Sequence, residues 1–367
     1  MMRKVCVAAV AILAAFLIPA GRAAEEKVLN LYIWSDYVAP DTLANFTKKT
    51  GITVNMDVFD SSEMLEGKLL AGGSGYDVIV PNGPALKRFI GAKIVRPLDK
   101  AKLSRLATQD RTITDRAATA ADPGNAHSII YMWGTSGIGY NVKKVREILG
   151  PNAPVDSWNL ILDPANAAKL AACGIYAFDS TADIFELTLN YLGRDPRSTN
   201  PKDYEDAAAA WTKVRPYIRK FANSEYISAL ANGDICVAMG YSGDVLQARD
   251  RAREAKKGIE IAYSIPKEGA VMWFDYMAVP ADAPHPDAAH AFLDYLLTPE
   301  VIAPISNAVH YANANKDATN LVAKEIRDDA TIYPTAATMD KLFTESTPTR
   351  ELERLRTRLW NRVKTGT

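Results

Sequence analysis

Residues 28–81 read VLNLYIWSDYVAPDTLANFTKKTGITVNMDVFDSSEMLEGKLLAGGSGYDVIVP, and this stretch decides the fold. Segments rich in aliphatic, β-branched and aromatic residues predict strands at Val28–Ile33, Ile52–Phe59 and Tyr76–Val80. One helix is predicted between Pro40 and Gly51, and a second, Glu63–Leu70, follows Ser62 as its N-cap. Short strands that alternate with helices predict an α/β fold with a parallel sheet.

The same alternation returns in the second half of the chain. We expect strands at Ile235–Met239 and Ile259–Ile265 and a helix at Ala288–Leu297. The last segment, Glu351–Lys364, has an apolar face and several basic residues elsewhere. A basic amphipathic helix of this kind either lies on a membrane or packs on the protein, and we favour packing.

The first residues have the layout of a cleavable signal peptide, predicted over residues 1–23. Arg3 and Lys4 precede an uncharged apolar run, Val5–Ile18, and the small residues Gly21 and Ala23 follow. The apolar run is shorter than the roughly 20 residues that a membrane span needs, so a retained anchor is the weaker alternative. We therefore expect an exported protein, located in the periplasm of a bacterium with two membranes.

Length and charge limit the classes of protein that this chain can represent. At 367 residues it is long enough for two domains. The formal charge is zero, and loss of the signal would make the mature chain slightly acidic. Neither value indicates nucleic acid or an anionic membrane as a partner.

The cysteines favour a disulfide bond. Cys6 lies in the predicted signal, which leaves Cys173 and Cys236 in the exported protein. In an oxidising compartment these two are expected to pair, and two buried thiols are the alternative.

Motifs for catalysis and metal binding do not occur in the sequence. The four histidines lack metal-binding spacing, and no nucleophile elbow or P-loop is present. A glycine-rich run at 134–139 lacks the lysine of a phosphate-binding loop, and we interpret it as a flexible crossing between domains. The sequence therefore favours binding, without catalysis, metal or cofactor.

Aromatic residues stand beside carboxylates at what we predict to be the carboxyl ends of strands. The clusters are Trp34-Ser35-Asp36-Tyr37, Tyr241-Ser242-Gly243-Asp244 and Trp273-Phe274-Asp275-Tyr276. Ligands of open α/β sheets bind at such ends, so the clusters are expected to meet in one crevice. Buried carboxylates need a cationic partner, and aromatic faces attract cations and cover methylene groups. These requirements predict a diamine or polyamine; core packing and helix capping are the alternative roles for these residues.

At these clusters the chain closely resembles the periplasmic polyamine-binding proteins of ABC importers, especially their putrescine-binding branch. The resemblance covers nearly the whole mature chain and includes WSDYVAPDTLANFTKKTGI at 34–52, ANGDICVAMGYSGDV at 231–245 and RTRLWNRVK at 356–364. It implies a two-lobed periplasmic binding protein fold of type II, with hinge segments between the lobes. Residues 25–134 and 263–306 would form one lobe, and residues 135–262 and 307–367 the other.

The resemblance also implies the ligand-binding residues. The implied aromatic box comprises Trp34, Tyr37, Tyr241, Trp273 and Tyr311. Asp244 and Asp275 match the carboxylates that bind ammonium groups, and Asp36 and Ser35 match polar contacts on the first lobe. Asp183 falls where relatives carry the longer Glu.

Some positions depart from the putrescine-binding pattern. Tyr241 replaces a Trp and Asn82 replaces a Ser, and Trp273 is more typical of the spermidine-binding branch. The expected ligand is putrescine, with spermidine, agmatine or cadaverine as alternatives. The implied partner is an ABC permease, and the protein is expected to be a monomer. A membrane-linked amine sensor and a secreted amine-processing enzyme are the other functions considered.

Overall fold

The structure is a computed structural model that describes residues 27–366, so the predicted signal peptide lies outside the described residues. Within that range the strands are β1 Val28–Trp34, β2 Thr53–Phe59, β3 Val78–Ile79, β4 Ser128–Asn141, β5 Ile175–Ala177, β6 Lys220–Phe221, β7 Val237–Tyr241, β8 Ile261–Ser264, β9 Ala270–Ala278, β10 Ala312–Asn313 and β11 Leu342–Thr344. The α-helices are α1 Thr42–Thr50, α2 Ser62–Leu70, α3 Gly83–Gly91, α4 Arg111–Ala120, α5 Val142–Leu149, α6 Asn159–Leu162, α7 Pro164–Leu170, α8 Thr181–Tyr191, α9 Pro201–Val214, α10 Tyr226–Asn232, α11 Ser242–Glu254, α12 Pro286–Leu296, α13 Pro299–Val309, α14 Lys324–Arg327, α15 Ala336–Met339 and α16 Arg350–Thr365.

The first elements follow the predicted alternation. Strands β1, β2 and β3 are parallel, with β1 between the other two. Helix α1 ends at Gly51, which has φ 74° and adopts the left-handed conformation that glycine tolerates best. The predicted N-cap of α2 was one residue off, because the side chain of Ser61 accepts the hydrogen bond from the Met64 amide.

Strand β4 joins the two halves of the sheet. The strands lie in the order β2-β1-β3-β9-β4-β7-β5-β6, and β8 and β10 also pair with β4. The part of β4 from Ser128 to Thr135 pairs with β9, and the part from Ser136 to Asn141 pairs with β7 and β8. One strand thus passes from one α/β unit to the other.

The glycine-rich run at 134–139 lies within this crossing strand. It is a continuous, paired part of β4 rather than a flexible loop, and its role as a crossing between domains stays a prediction. A Cβ atom at Gly134 would lie 2.5 Å from the Trp273 ring and 2.9 Å from the Ser242 hydroxyl. Glycine at 134 therefore allows a side chain of β9 and the start of α11 to approach the crossing strand closely.

Two short late strands return to the first half of the sheet. Ala312 and Asn313 of β10 pair with Trp133 and Met132 of β4, and β11 pairs in parallel with β9. The sequence-based lobe boundaries stay a prediction.

The C-terminal helix packs on the protein. Leu352, Leu359, Trp360 and Val363 of α16 are buried, and the helix lies against α8 and α9. Within residues 27–366 we find no helix with the length and apolar character of a membrane span.

A disulfide joins Cys173 and Cys236, as the sequence predicts. The two residues precede β5 and β7, which are parallel neighbours in the second half of the sheet. The bond therefore closes a loop of 63 residues within one half of the molecule.

Replacing both cysteines by serine is expected to lower the free energy of unfolding by about 2–4 kcal/mol, because the unfolded chain gains the entropy of an open loop. Urea unfolding of the oxidised protein and the double variant measures this difference. Equal stabilities would contradict a stabilising disulfide.

Gly134→Ala is expected to destabilise the protein by about 1–3 kcal/mol, because the new methyl group displaces the Trp273 ring or the crossing strand. Gly67 of α2 is a matched control, since a Cβ atom there meets nothing within 4 Å. Gly67→Ala should be neutral or slightly stabilising, because alanine has the higher helix propensity. Urea unfolding of both variants tests the contrast, and similar effects would refute the close approach at Gly134.

Candidate functional site

The sequence-predicted residues come together where the two halves of the sheet meet. Trp34 ends β1, Tyr241 ends β7, and Asp244 lies in the first turn of α11, as the predicted strand ends require. The third cluster differs from the prediction, because Trp273 and Asp275 lie inside β9 and not after a strand end. They nevertheless reach the same crevice, since β9 pairs with the crossing strand.

Asp275 is a buried residue of β9 and accepts a hydrogen bond from Tyr37. The Tyr37 hydroxyl donates to Asp275 Oδ2 over 2.8 Å, and both residues are buried. The Tyr131 hydroxyl of β4 donates to the Tyr37 carbonyl over 2.6 Å, which holds the segment after β1 against the sheet. Residues distant in sequence thereby form one rigid contact.

Asp244 is held by two tyrosines. Tyr226 donates to Asp244 Oδ2 over 2.8 Å, and Tyr311 donates to Oδ1 over 2.6 Å. The Asp244 amide in turn donates to the Tyr311 hydroxyl over 3.2 Å. The carboxylate is thus fixed at the start of α11, where the helix N-terminus favours negative charge.

Asp183 lies in the first turn of α8 and also accepts hydroxyl groups. Ser136 donates to its Oδ1 over 3.0 Å, and Tyr241 donates to Oδ2 over 3.3 Å. Ser136 is the first residue of β4 that pairs with the second half of the sheet. Asp183 therefore marks the end of the crevice on that side.

Aromatic rings connect these carboxylates. The Tyr241 ring stacks on Phe178 with centroids 4.7 Å apart and meets Trp273 edge to face at 5.9 Å. Trp273 meets Tyr311 at 4.9 Å, and Tyr311 meets Tyr37 at 5.8 Å. These rings form a continuous wall of the predicted box.

The remaining predicted residues, Trp34, Ser35 and Asn82, make other contacts, and Asn82 also forms an isolated β-bridge with Asp275. Trp34 packs on Phe59 with centroids 4.4 Å apart, and its indole N–H has no hydrogen-bond partner among the residues described. Ser35 is exposed and donates to Asp60 over 2.7 Å rather than to the crevice. The Asn82 side chain accepts from the Ala85 amide as N-cap of α3.

Asp36 is exposed but electrostatically part of the site. Its backbone is in the left-handed region with φ 53°, a conformation that Asp tolerates better than most residues. The charge of Asp36 contributes to raising the pKa of Asp244. Asp36 therefore acts on Asp244 through its charge, from the exposed segment after β1.

Burial makes these carboxylates reluctant to ionise without a ligand. Burial raises the pKa of Asp275 to about 7. The Tyr37 hydroxyl and the nearby Trp34 indole act in the opposite direction and lower this pKa, although the indole N–H lies outside hydrogen-bond geometry. Burial likewise raises the pKa of Asp183 and of Asp244. Among the described residues no Lys, Arg or His forms an ion pair with Asp183, Asp244 or Asp275.

Sequence reasoning missed one carboxylate of the crevice, Glu345. Its charge interacts with Asp183 and Asp275, and these neighbours and burial raise its pKa well above the ordinary value. Glu345 follows the three-residue strand β11 directly, so it repeats the pattern of a carboxylate after a strand. The strand is too short for its periodicity to be recognised.

The arrangement fits an organic cation better than a metal ion. No group of three or more His, Cys, Asp or Glu residues within 27–366 is placed to hold a metal ion. The carboxylates lie among tyrosine and tryptophan side chains, a combination that suits ammonium groups on an apolar chain. Fold and site together define the class of two-lobed binding proteins of the periplasmic type.

Comparison of the chain with known proteins identifies its family. The chain belongs to the family of bacterial extracellular solute-binding proteins, whose profile matches residues 41–335. It is 53% identical over 345 residues to the putrescine-binding periplasmic protein PotF of Escherichia coli strain K12, covering 94% of this chain and 93% of that protein. It is 48% identical over 345 residues to the putrescine-binding periplasmic protein SpuD of Pseudomonas aeruginosa strain UCBPP-PA14, covering 94% of each.

A solved structure agrees with the fold. The spermidine/putrescine ABC transporter substrate-binding protein PotD from Streptococcus pneumoniae has a TM-score of 0.79 at 27% identity, covering 92% of this chain and 99% of that one. The predicted two-lobed type II fold is thereby confirmed. Membership of a solute-binding family also confirms that the protein is a binding protein and not an enzyme.

The raised pKa of Asp275 predicts how stability depends on pH without ligand. A carboxyl group whose pKa rises on folding stabilises the protein while it is protonated, and this contribution is lost as the pH rises through the folded pKa, about 7. Each pKa unit corresponds to about 1.4 kcal/mol, so the effect amounts to a few kcal/mol.

Asp275→Asn mimics the protonated group at every pH. The stability of the unsubstituted protein relative to Asp275→Asn should therefore fall between pH 5 and pH 8. Urea unfolding of both ligand-free proteins across this range is the measurement. A constant difference would mean that Asp275 titrates normally.

Proposed function

We propose that the protein captures a polyamine, putrescine, between its lobes in the periplasm and delivers it to the permease of an ABC importer. The observation that carries this proposal is that Asp183, Asp244 and Asp275 accept hydroxyl groups but form no ion pair with a basic residue in the described chain. A dicationic amine supplies the missing charge, and the aromatic wall covers its methylene groups.

The names of the relatives support the ligand class and the compartment. PotF and SpuD are putrescine-binding periplasmic proteins, and PotD is an ABC transporter substrate-binding protein. The identity to PotF is high enough to make the same ligand the first candidate. The periplasmic location also agrees with the predicted signal peptide, and we expect the protein to act there as a monomer without nucleic acid.

Ligand binding would favour the closed arrangement of the lobes. Trp34, Asp36 and Asp275 would bind from one lobe, and Asp183 and Asp244 from the other. Because an ammonium group between them attracts carboxylates of both lobes, the ligand has a higher affinity for the closed form and shifts the population toward it. Closure would then signal occupancy to the permease.

The alternatives concern the ligand and the receiving partner. Spermidine, agmatine and cadaverine share the cationic ends of putrescine and differ in length or in a guanidinium group. One methylene group changes affinity by about 1–3 kcal/mol, so the replacements at Asn82 and Tyr241 can alter the preference. An amine sensor would use the same crevice and differ only in its membrane partner.

Isothermal titration calorimetry with putrescine, cadaverine, agmatine and spermidine tests the proposal. We expect putrescine to bind with the highest affinity. If none of the four amines binds more tightly than about 1 mM, roughly −4 kcal/mol, the polyamine proposal is wrong. Recovery of unchanged amine after long incubation checks for chemical conversion.

Asp275→Asn is expected to weaken putrescine binding by about 100-fold or more, because a buried ammonium group loses its charged partner. Exposed Asp234, which precedes β7, provides a control substitution of the same chemistry. Asp234→Asn should leave the affinity unchanged. Unchanged affinity in Asp275→Asn would remove Asp275 from the binding site.

A further inference from the structure

We propose that Glu345 is a ligand-binding carboxylate that, with Asp183, binds one cationic end of the ligand. This inference rests on the proposed function, because it assigns a residue within the same crevice. It adds a charged group that neither the sequence patterns nor the relatives' names assign.

The backbone places Glu345 beside the predicted binding residues. Strand β11 runs parallel to β9, and Thr344 pairs with Met272, so the next residue lies alongside Trp273. The side chain extends toward the start of α3, where its Oε2 lies 3.6 Å from the position of a Cβ atom on Gly83. Glu345 thus approaches the residue that follows Asn82.

The segment that carries Glu345 is anchored to α8. The amide and the hydroxyl of Ser346 both donate to Glu186 Oε1, the amide over 3.2 Å. Glu186 also pairs with Arg356 of α16 over 3.3 Å, and both of these residues are buried. Because Glu186 lies three residues after Asp183, this network holds Glu345 on the side of the crevice where Asp183 lies.

Glu345 differs from the other carboxylates of the crevice in its hydrogen bonds. Asp183, Asp244 and Asp275 accept hydroxyl groups, whereas the Glu345 side chain accepts no hydrogen bond from any residue described. Glu345 is partly exposed, and its oxygens are not among the buried atoms without a partner, so a ligand can reach them. The free acceptor positions of Glu345 are therefore available to an ammonium or guanidinium group of the ligand.

The electrostatic surroundings agree with this role. Burial and the charges of Asp183, Glu186 and Asp275 raise the pKa of Glu345 well above its ordinary value, and Arg88 opposes them. Arg88 is itself paired with Glu66. Without ligand, Glu345 therefore holds a proton more readily than a free glutamate, and a cationic ligand should displace that proton.

Glu345→Gln keeps the size of the side chain and removes its charge. With putrescine at pH 7.5, calorimetry should give an affinity lower by about tenfold to a hundredfold for this variant. The variant should also prefer putrescine over 1-aminobutane less strongly than the unsubstituted protein does. The lost carboxylate would bind the second ammonium group, which 1-aminobutane lacks. Glu345→Asp should restore part of the affinity, and exposed Glu325→Gln should change nothing.

Proton release gives a second readout that a structural role would not change. Titration in two buffers of different ionisation enthalpy measures the protons released per ligand, and Glu345→Gln should release fewer than the unsubstituted protein. Suppose that the unsubstituted protein binds putrescine, and that Glu345→Gln has the same affinity within about twofold and releases as many protons. Glu345 is then not a ligand-binding residue. If the unsubstituted protein binds no diamine, the proposed function itself fails.

Discussion

The site depends on one electrostatic constraint, which is that carboxylates lie together and that Asp183, Asp244 and Asp275 form no ion pair with a basic side chain among the described residues. The charge of Arg251 lowers the pKa of Asp244 without such a pair. Tyrosine and serine hydroxyls satisfy part of the hydrogen-bonding capacity of Asp183, Asp244 and Asp275. Hydroxyl groups orient a carboxylate but leave its charge, whereas a lysine would occupy the place of the ligand. The negative charge therefore remains available for a cation from solution.

Helix α8 carries two buried carboxylates three residues apart, Asp183 and Glu186, and they are stabilised in different ways. Glu186 pairs with Arg356 and accepts Ser346, so its charge has a partner within the protein. Asp183, on the preceding turn, has only hydroxyl donors. The first carboxylate links α8 to the C-terminal helix, and the second faces the crevice, so neighbouring acidic residues separate into a structural and a binding role.

The sequence predicted the elements with strong periodicity and the residues with a distinctive chemical pattern. β1, α1 and α16 were correct to within a few residues, and the aromatic–carboxylate clusters do meet in one crevice. The strand-end argument failed for Asp275, because long-range pairing with β4 decides where β9 begins and ends. Glu345 was missed because its strand has three residues and its position depends on partners more than 60 residues away.

The crossing strand explains how a cation can control the relative position of the two lobes. β4 pairs with β9 on one side of Thr135 and with β7 on the other, so Asp275 and Asp183 are attached to different parts of the same strand. Without a ligand, their like charges oppose close approach unless protons are bound. Under the proposed function, a dication would remove this repulsion and replace the protons, so the free energy of binding would include both the contacts to the ligand and the relief of repulsion between the lobes. Closure and ligand recognition would then be the same electrostatic event, with β4 as the connection between the charges.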